Sequence, residues 1–191
     1  MSTEAYLPGE EDAEDKRLME RVAQGDDDAL RLLVECHHPR LVGYLKTEVG
    51  SLATAEELAM EVFIRLHRSA PRWRPEAKLS TYLFHIAHNL VLNEWRRKSR
   101  KPTHSIDALS ETGDHHQESA RRVGELEESF ARALQQIPPE QRTALTLLVQ
   151  QDMTYEEIST VMKVPVSTVK TWIFRARTQL KNLLKDHYGT H

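Results

Sequence analysis

The chain has one cysteine among its 191 residues, Cys36. A lone thiol excludes an intramolecular disulfide and a Cys-rich zinc site, and it fits a reducing compartment, the cytoplasm. Glycine is scarce, at 7 residues. Strand-like runs of Val, Ile, Thr and Tyr are hard to find, so the composition points to an all-α protein. No apolar run approaches the roughly 20 residues that cross a bilayer, and no membrane insertion is expected. The N-terminal "MSTEAYLPGEEDAEDKR" lacks the apolar core of a signal peptide. There is no glycine-rich phosphate loop and no nucleophile motif, and paired acids fall only on helix faces or in acidic tracts, so nothing suggests an enzyme. His85-x-x-His88 has the spacing of two metal ligands on a helix but no clear third. The pairs His37-His38 and His115-His116 offer no more, and neither a metal nor a cofactor is expected.

Another absence is local. "PVSTVKTWIFRARTQLKNLL", residues 165–184, contains no Asp or Glu, although the chain holds 29 acids against 26 bases, a formal charge of −3. Charge is segregated along the whole sequence. Residues 65–101 carry ten Lys or Arg against Glu76 and Glu94, and residues 165–185 carry five bases and no acid. The first twenty residues hold seven acids, and residues 102–130 hold seven more. Two basic blocks separated by acidic tracts suggest two surfaces for one polyanion, against the plainer reading of solvated helix faces.

Periodicity divides the chain into two small helical domains. Residues 1–15 read as an acidic, disordered tail. The first domain, 16–101, holds a helix near 16–24 and then a stripe of Leu30, Leu33, Val34 and His37; Pro39 starts another turn, and Leu41, Tyr44, Leu45 and Val49 continue the stripe to Gly50. Thr54 and Glu57 read as a capping box for a helix with Leu58, Val62 and Leu66 inward. After "APRWRPEAK", a loop, comes a long helix with Leu83, Ile86, Ala87 and Leu90. Residues 102–122 read as a flexible acidic linker, which spans roughly 65–70 Å at about 3.3 Å per residue. The second domain, 123–191, opens with Val123, Leu126, Phe130, Leu134 and Ile137 on one helix. Pro139 then starts a helix whose inner face is Ala144, Leu145, Leu148 and Val149. Thr154 and Glu157 form a second capping box, before Ile158, Val161 and Met162.

On a helical wheel Val166, Val169, Ile173, Ala176, Leu180 and Leu183 share one face at spacings of 3 and 4, a core stripe. The other side carries Ser167, Thr168, Lys170, Thr171, Phe174 and Arg175. Hydroxyls, a cation fork and an aromatic suit a DNA major groove, where an acid would repel phosphate. The preceding short helix and turn complete a helix-turn-helix pattern. Ser159 is small where the helices cross, and Lys163 occupies the turn position that often holds Gly. A three-helix bundle binding another protein has the same pattern.

Two stretches together resemble a bacterial sigma factor of the extracytoplasmic-function group. "TAEELAMEVFIRLHR", "RWRPEA" and "LSTYLFHIAHNLVLNEWRRKSR" are similar to conserved region 2. "LQQIPPEQRTALTLLVQQDMTYEEISTVMKVPVSTVKTWIFRARTQLKNLL" is similar to region 4. No region 3 stands between them, as in this reduced group. The resemblance implies an alternative sigma factor that binds core RNA polymerase and directs promoter-specific transcription initiation. The first domain would read and melt the minus-ten element, and the second would read the minus-thirty-five element as duplex DNA. The linker's reach exceeds one turn of DNA, about 34 Å. An anti-sigma factor is a further implied partner.

The resemblance also implies sites. Glu57, Met60 and Glu61 match the polymerase-binding segment, although Met60 stands where the family has Gln. Trp73, Tyr82 and Asn89 match the surface that captures a flipped minus-ten base, with Arg96, Arg97 and Lys98 as phosphate contacts. Pro75 replaces a loop Gly, and His85 and His88 stand where Arg is frequent. Ser167, Thr168, Lys170, Thr171, Phe174 and Arg175 would contact the minus-thirty-five element. The alternatives are a helix-turn-helix transcriptional regulator acting without polymerase, and a helical protein whose basic faces bind an acidic partner.

Overall fold

A computed structural model describes residues 10–100 and 129–188. The expected linker, the first nine residues and the expected domain start at Val123 lie outside them. The chain separates into two compact units, Met1–Arg100 and Lys101–His191. Every regular element among the described residues is helical.

The first unit contains α1 (Glu10–Ala23), α2 (Asp27–Val49), α3 (Leu52–Ser69), a 3-10 turn (Ala70–Arg72) and α4 (Leu79–Arg100). Local chemistry sets the boundaries. The Asp26 carboxylate accepts from the Ala29 N–H at 3.1 Å and from Arg21 at 2.9 Å. These bonds hold its carboxyl below the ordinary value. Gly50 ends α2 at φ 77°, a left-handed conformation that costs glycine little.

Three expectations are corrected here. The first helix begins at Glu10, not Lys16, and Asp15 is buried rather than part of a tail. Its Oδ1 lies 2.9 Å from the buried His37 Nε2; a buried carboxylate needs such a partner, and this one anchors α1 to α2. Pro39 does not divide α2, which runs unbroken past it. Proline removes the bond to the Glu35 carbonyl, but both residues are exposed, so water can take that place. Finally, Thr54 does not cap α3. Ser51 does: its Oγ accepts from the Thr54 N–H at 3.4 Å. Because Gly50 ends α2 so abruptly, the next helix starts at once, and Thr54 falls inside its first turn.

Leu33, Leu41, Tyr44 and Leu45 of α2 pack with Val62, Phe63 and Leu66 of α3 and Leu83, Phe84 and Ala87 of α4. The Tyr44 and Phe84 rings meet edge to face, with centroids 5.4 Å apart, a geometry worth about 0.5–1.5 kcal/mol beyond its buried area. Leu58, expected inward, is half-buried, and Ala55 and Ala59 line the inner face instead. Near its C-terminal end α4 supplies donors to the last carbonyls of α2. Trp95 Nε1 reaches the Glu48 oxygen at 3.4 Å, and Lys98 Nζ reaches the Val49 oxygen at 3.0 Å.

In the second unit residues 129–135 are helical, followed by α5 (Pro139–Gln150), α6 (Tyr155–Met162) and α7 (Val166–Tyr188). Pro139 occupies the first turn of α5. The Thr154–Glu157 capping box is complete, with bonds of 2.8 and 3.2 Å. Ile158, Val161 and Met162 are buried, as their spacing predicts. Two apolar residues are not inward. Val149 is 60% exposed, because the inner face runs through Thr143, Ala144 and Leu147, and Val149 lies about 200° around the helix from Leu147. Phe130 is also exposed, while Leu134 and Ile137 are buried.

Candidate nucleic-acid and polymerase interfaces

The turn between α6 and α7 fixes the α7 surface. Lys163 adopts φ 55°, ψ 45°, the left-handed region. The Val164 N–H donates to the Ser159 carbonyl at 3.2 Å, and Ser159 Oγ donates back to the Val164 carbonyl at 2.6 Å. The hydroxyl of Ser159 therefore closes the turn, besides leaving room for the crossing. On α7 Val169, Ile173 and Ala176 are buried against the rest of the unit, while Val166, Leu180 and Leu183 are half-buried. Ser167, Lys170, Thr171 and Arg175 are exposed, Thr168 is half-buried, and Phe174 is 72% exposed.

This face is organised from within. Thr171 Oγ1 donates to the Ser167 carbonyl and Thr178 Oγ1 to the Phe174 carbonyl, both at 2.9 Å. Each hydroxyl keeps acceptor capacity toward a ligand. The Lys170 ammonium lies 5.9 Å from the centre of the Tyr155 ring, a cation–π placement that sequence reasoning missed. Its signal was readable only as an aromatic at the first residue of α6. The arrangement presents cations, methyl groups and one aromatic face, with no acid.

In the first unit the α3 surface carries Glu57, exposed, and Met60, 53% exposed. Glu61 is partly covered and accepts from Arg65 Nε at 2.7 Å. Exposed Ile64, one turn beyond Met60, extends the apolar strip and had no place in the sequence reading. The spacing of Met60 and Ile64 was the available signal.

Trp73, half-buried, follows the 3-10 turn, and its N–H donates to the Ala70 carbonyl at 3.2 Å. With Pro71 and Arg74 it lines a cleft against Met19 and Ala23 of α1. Tyr82 is half-buried, and its hydroxyl donates to Ser69 Oγ at 3.0 Å. Asn89 is half-buried too. Its Nδ2 donates to the His85 carbonyl at 2.9 Å and lies 3.1 Å from His85 Nε2. His88 is buried, with Nδ1 3.5 Å from the Tyr44 hydroxyl. Burial, then the nearby His85, pushes its imidazole down to about 4. His88 is thus a neutral core residue. The described residues contain no cluster of three or more side chains able to hold a metal ion.

The three basic residues near the end of α4 are exposed but engaged. Arg96 donates to Asn93 Oδ1 at 2.9 Å, and Lys98 donates to the α2 carbonyl already described. Arg97 forks onto Glu94, a buried carboxylate that the sequence reading counted only as one of two acids in a basic block. The bond to Arg97 holds the Glu94 carboxyl below its ordinary value against the opposing effect of burial. Glu94, and more weakly Glu57 across on α3, holds the Arg97 guanidinium above its own.

Residues 33–101 match the family described as Sigma-70 region 2, and residues 127–180 match Sigma-70, region 4. The chain is 35% identical over 182 residues to the RNA polymerase sigma-H factor of Pseudomonas aeruginosa, covering 90% of this chain and 94% of that one. It is 31% identical over 178 residues to the ECF RNA polymerase sigma-E factor of Escherichia coli K12, covering 88% and 93%. Among solved structures, CnrH in complex with the cytosolic domain of CnrY has a similar fold, with a TM-score of 0.69 at 18% identity over 91% of this chain and 98% of that one. The sigma factor RpoE in complex with the anti-sigma factor NepR, from Bartonella quintana, gives 0.66 at 19% identity over 81% and 96%. With both regions present and close relatives matched along almost their full length, the chain belongs to the extracytoplasmic-function sigma factors, which bind core RNA polymerase and direct it to promoters.

Proposed function

We propose that the two functions of this sigma factor divide between its units at named residues. The α7 face of Ser167, Thr168, Lys170, Thr171, Phe174 and Arg175 enters the major groove of the minus-thirty-five element. The observation that carries the assignment is Phe174: a 72% exposed aromatic, set among cations and hydroxyls in the acid-free stretch 165–185, opposite that helix's own core stripe. Arg175 forks onto a guanine, and Phe174 meets an apolar base edge such as a thymine methyl. Lys170, held near Tyr155, contacts phosphate.

In the first unit, Glu57 and Glu61 meet basic residues of the polymerase, while Met60 supplies apolar contact where the family has a polar one. Trp73, Tyr82 and Asn89 receive a base flipped from the single-stranded minus-ten element, and Arg96, Arg97 and Lys98 follow its phosphates. Residues 10–101, with α1 from Glu10 included, and 123–191 are the working domains, with 102–122 as linker. The chain has no catalytic role of its own and acts in the cytoplasm. Among the described residues no helix is long and apolar enough to cross a membrane. An anti-sigma factor covers its working surfaces until needed; the similar fold of RpoE, solved with the anti-sigma factor NepR, supports that reading.

The test is transcription with purified core polymerase. Adding the chain should produce transcripts from a promoter carrying both elements, and substituting either element should abolish them. A protein that protects the promoter from cleavage without polymerase, and adds no transcription, would contradict the proposal.

A further inference from the structure

We infer that His85 sets which base Asn89 accepts, by consuming both donors of the Asn89 amide and leaving only its carbonyl oxygen to read an amino group. The inference rests on the base-capture role proposed for Asn89.

The hydrogen bonds fix the orientation. The atom 2.9 Å from the His85 backbone carbonyl must be a donor, because that oxygen only accepts. It is therefore the amide nitrogen, Nδ2, and the side chain cannot be turned over. The same Nδ2 lies 3.1 Å from His85 Nε2. One N–H serves the carbonyl and the other faces the ring, so Nε2 accepts and the neutral imidazole carries its proton on Nδ1. Among the described residues no hydrogen bond engages Asn89 Oδ1.

An unconstrained Asn offers donor and acceptor together and can pair bidentately, as it does with adenine. Held by His85, Asn89 is an acceptor alone. The favoured base then presents an exocyclic amino group: adenine, cytosine or guanine. Thymine has no amino group, and its exocyclic oxygens meet no donor here. His85 touches no nucleotide in this scheme; it is a positioning residue that acts through Asn89.

The test uses holoenzyme reconstituted from the full chain and core polymerase, with single-stranded minus-ten oligonucleotides carrying each base at each position. Asn89→Ala first identifies the position whose preference depends on the amide. There the favoured base is replaced by its analogue lacking the amino group: purine for adenine, 2-pyrimidinone for cytosine, or inosine for guanine. Wild-type holoenzyme should lose about three- to tenfold in affinity, one hydrogen bond's worth, and the Asn89→Ala holoenzyme almost nothing. His85→Ala frees one N–H and should narrow the penalty against thymine by a similar factor. His85→Gln, whose Oε1 can accept that N–H, should restore the wild-type pattern. If Asn89→Ala alters no position, the base-capture role fails, and the inference with it. If it alters one, but the amino group proves dispensable or His85→Ala leaves the pattern unchanged, the base-capture role stands and the inference is overturned.

Discussion

Arg97 places two guanidinium nitrogens on the two carboxylate oxygens of Glu94, each at 2.7 Å. A cation in the basic block near the end of α4 is thus neutralised by an acid one helical turn away. Glu94→Gln should free most of the Arg97 charge for phosphate. The salt dependence of minus-ten oligonucleotide binding by holoenzyme should steepen by about one counterion, and affinity at low salt should rise. An unchanged salt slope would show that Arg97 faces no phosphate.

On α7, Arg175→Ala should cost about 1–3 kcal/mol and relax specificity at one base pair of the minus-thirty-five element, as loss of a bidentate guanine contact does. Lys170→Ala should instead weaken binding evenly across sequences and flatten its salt dependence. Promoter titrations of each mutant holoenzyme at several salt concentrations separate the two signatures. Wild-type transcription from a minus-thirty-five-dependent promoter in both variants would sink the assignment.

His88 predicts an acid sensitivity. Its imidazole stays neutral in the fold down to about 4, whereas in the unfolded chain it takes up a proton near 6.5. Below pH 6.5 the unfolded state binds more protons, so stability falls as the pH drops toward 4, by roughly 3 kcal/mol across that window. His88→Gln removes this slope. The thermal midpoint of the first unit should fall several degrees between pH 7 and pH 5 in the wild type, and by less in the variant. Equal falls would place the sensitivity in another group.

These cases show where sequence sufficed. The α7 stripe was legible because Val169, Ile173 and Ala176 repeat at helical spacing, and one buried face determines the opposite one. The Thr154 box was legible because only one phase of the motif fits before Ile158. Around α3 the motif Thr54-x-x-Glu57 fits in the sequence, but the end of α2 at Gly50 starts the helix three residues earlier, with Ser51 as its cap. The partners of Asn89, Arg97 and Asp15 depend on side-chain direction or on a contact 22 residues away, neither of which composition or periodicity carries. Val149 was misplaced because an apolar residue two positions past a core residue lies on the far side of a helix.

Lys163 has a side chain in a conformation suited to glycine. Lys163→Gly should stabilise the α6–α7 turn by about 0.5–1 kcal/mol, since relief of left-handed strain exceeds the extra backbone entropy. Hydrogen exchange on the full chain should slow across α6 and α7 in the variant. Faster exchange there would mean that the lysine side chain contributes more than its backbone costs.

The final prediction concerns polymerase binding. Glu57 and Glu61 lie one turn apart on α3, beside exposed Met60. Glu61 is already held by Arg65, so Glu57 is the more available acid. It takes no part in capping, because Ser51 caps the helix. Reversing both to Arg should therefore spare the fold: Ala55, Ala59, Val62 and Leu66 keep the inner face, and the new charge near Arg97 is exposed. Against a basic partner the change removes attraction and adds repulsion. Exposed pairs are worth only about 0–1 kcal/mol each, but like charges forced together at an interface cost several. The double reversal should abolish association with core polymerase. Glu61→Gln alone should weaken it slightly, since that carboxylate is partly satisfied by Arg65, and Glu57→Gln should weaken it more. Co-elution of the folded double variant with core polymerase on size exclusion is the measurement, with circular dichroism confirming wild-type helicity. Wild-type co-elution would place the polymerase surface elsewhere on the first unit.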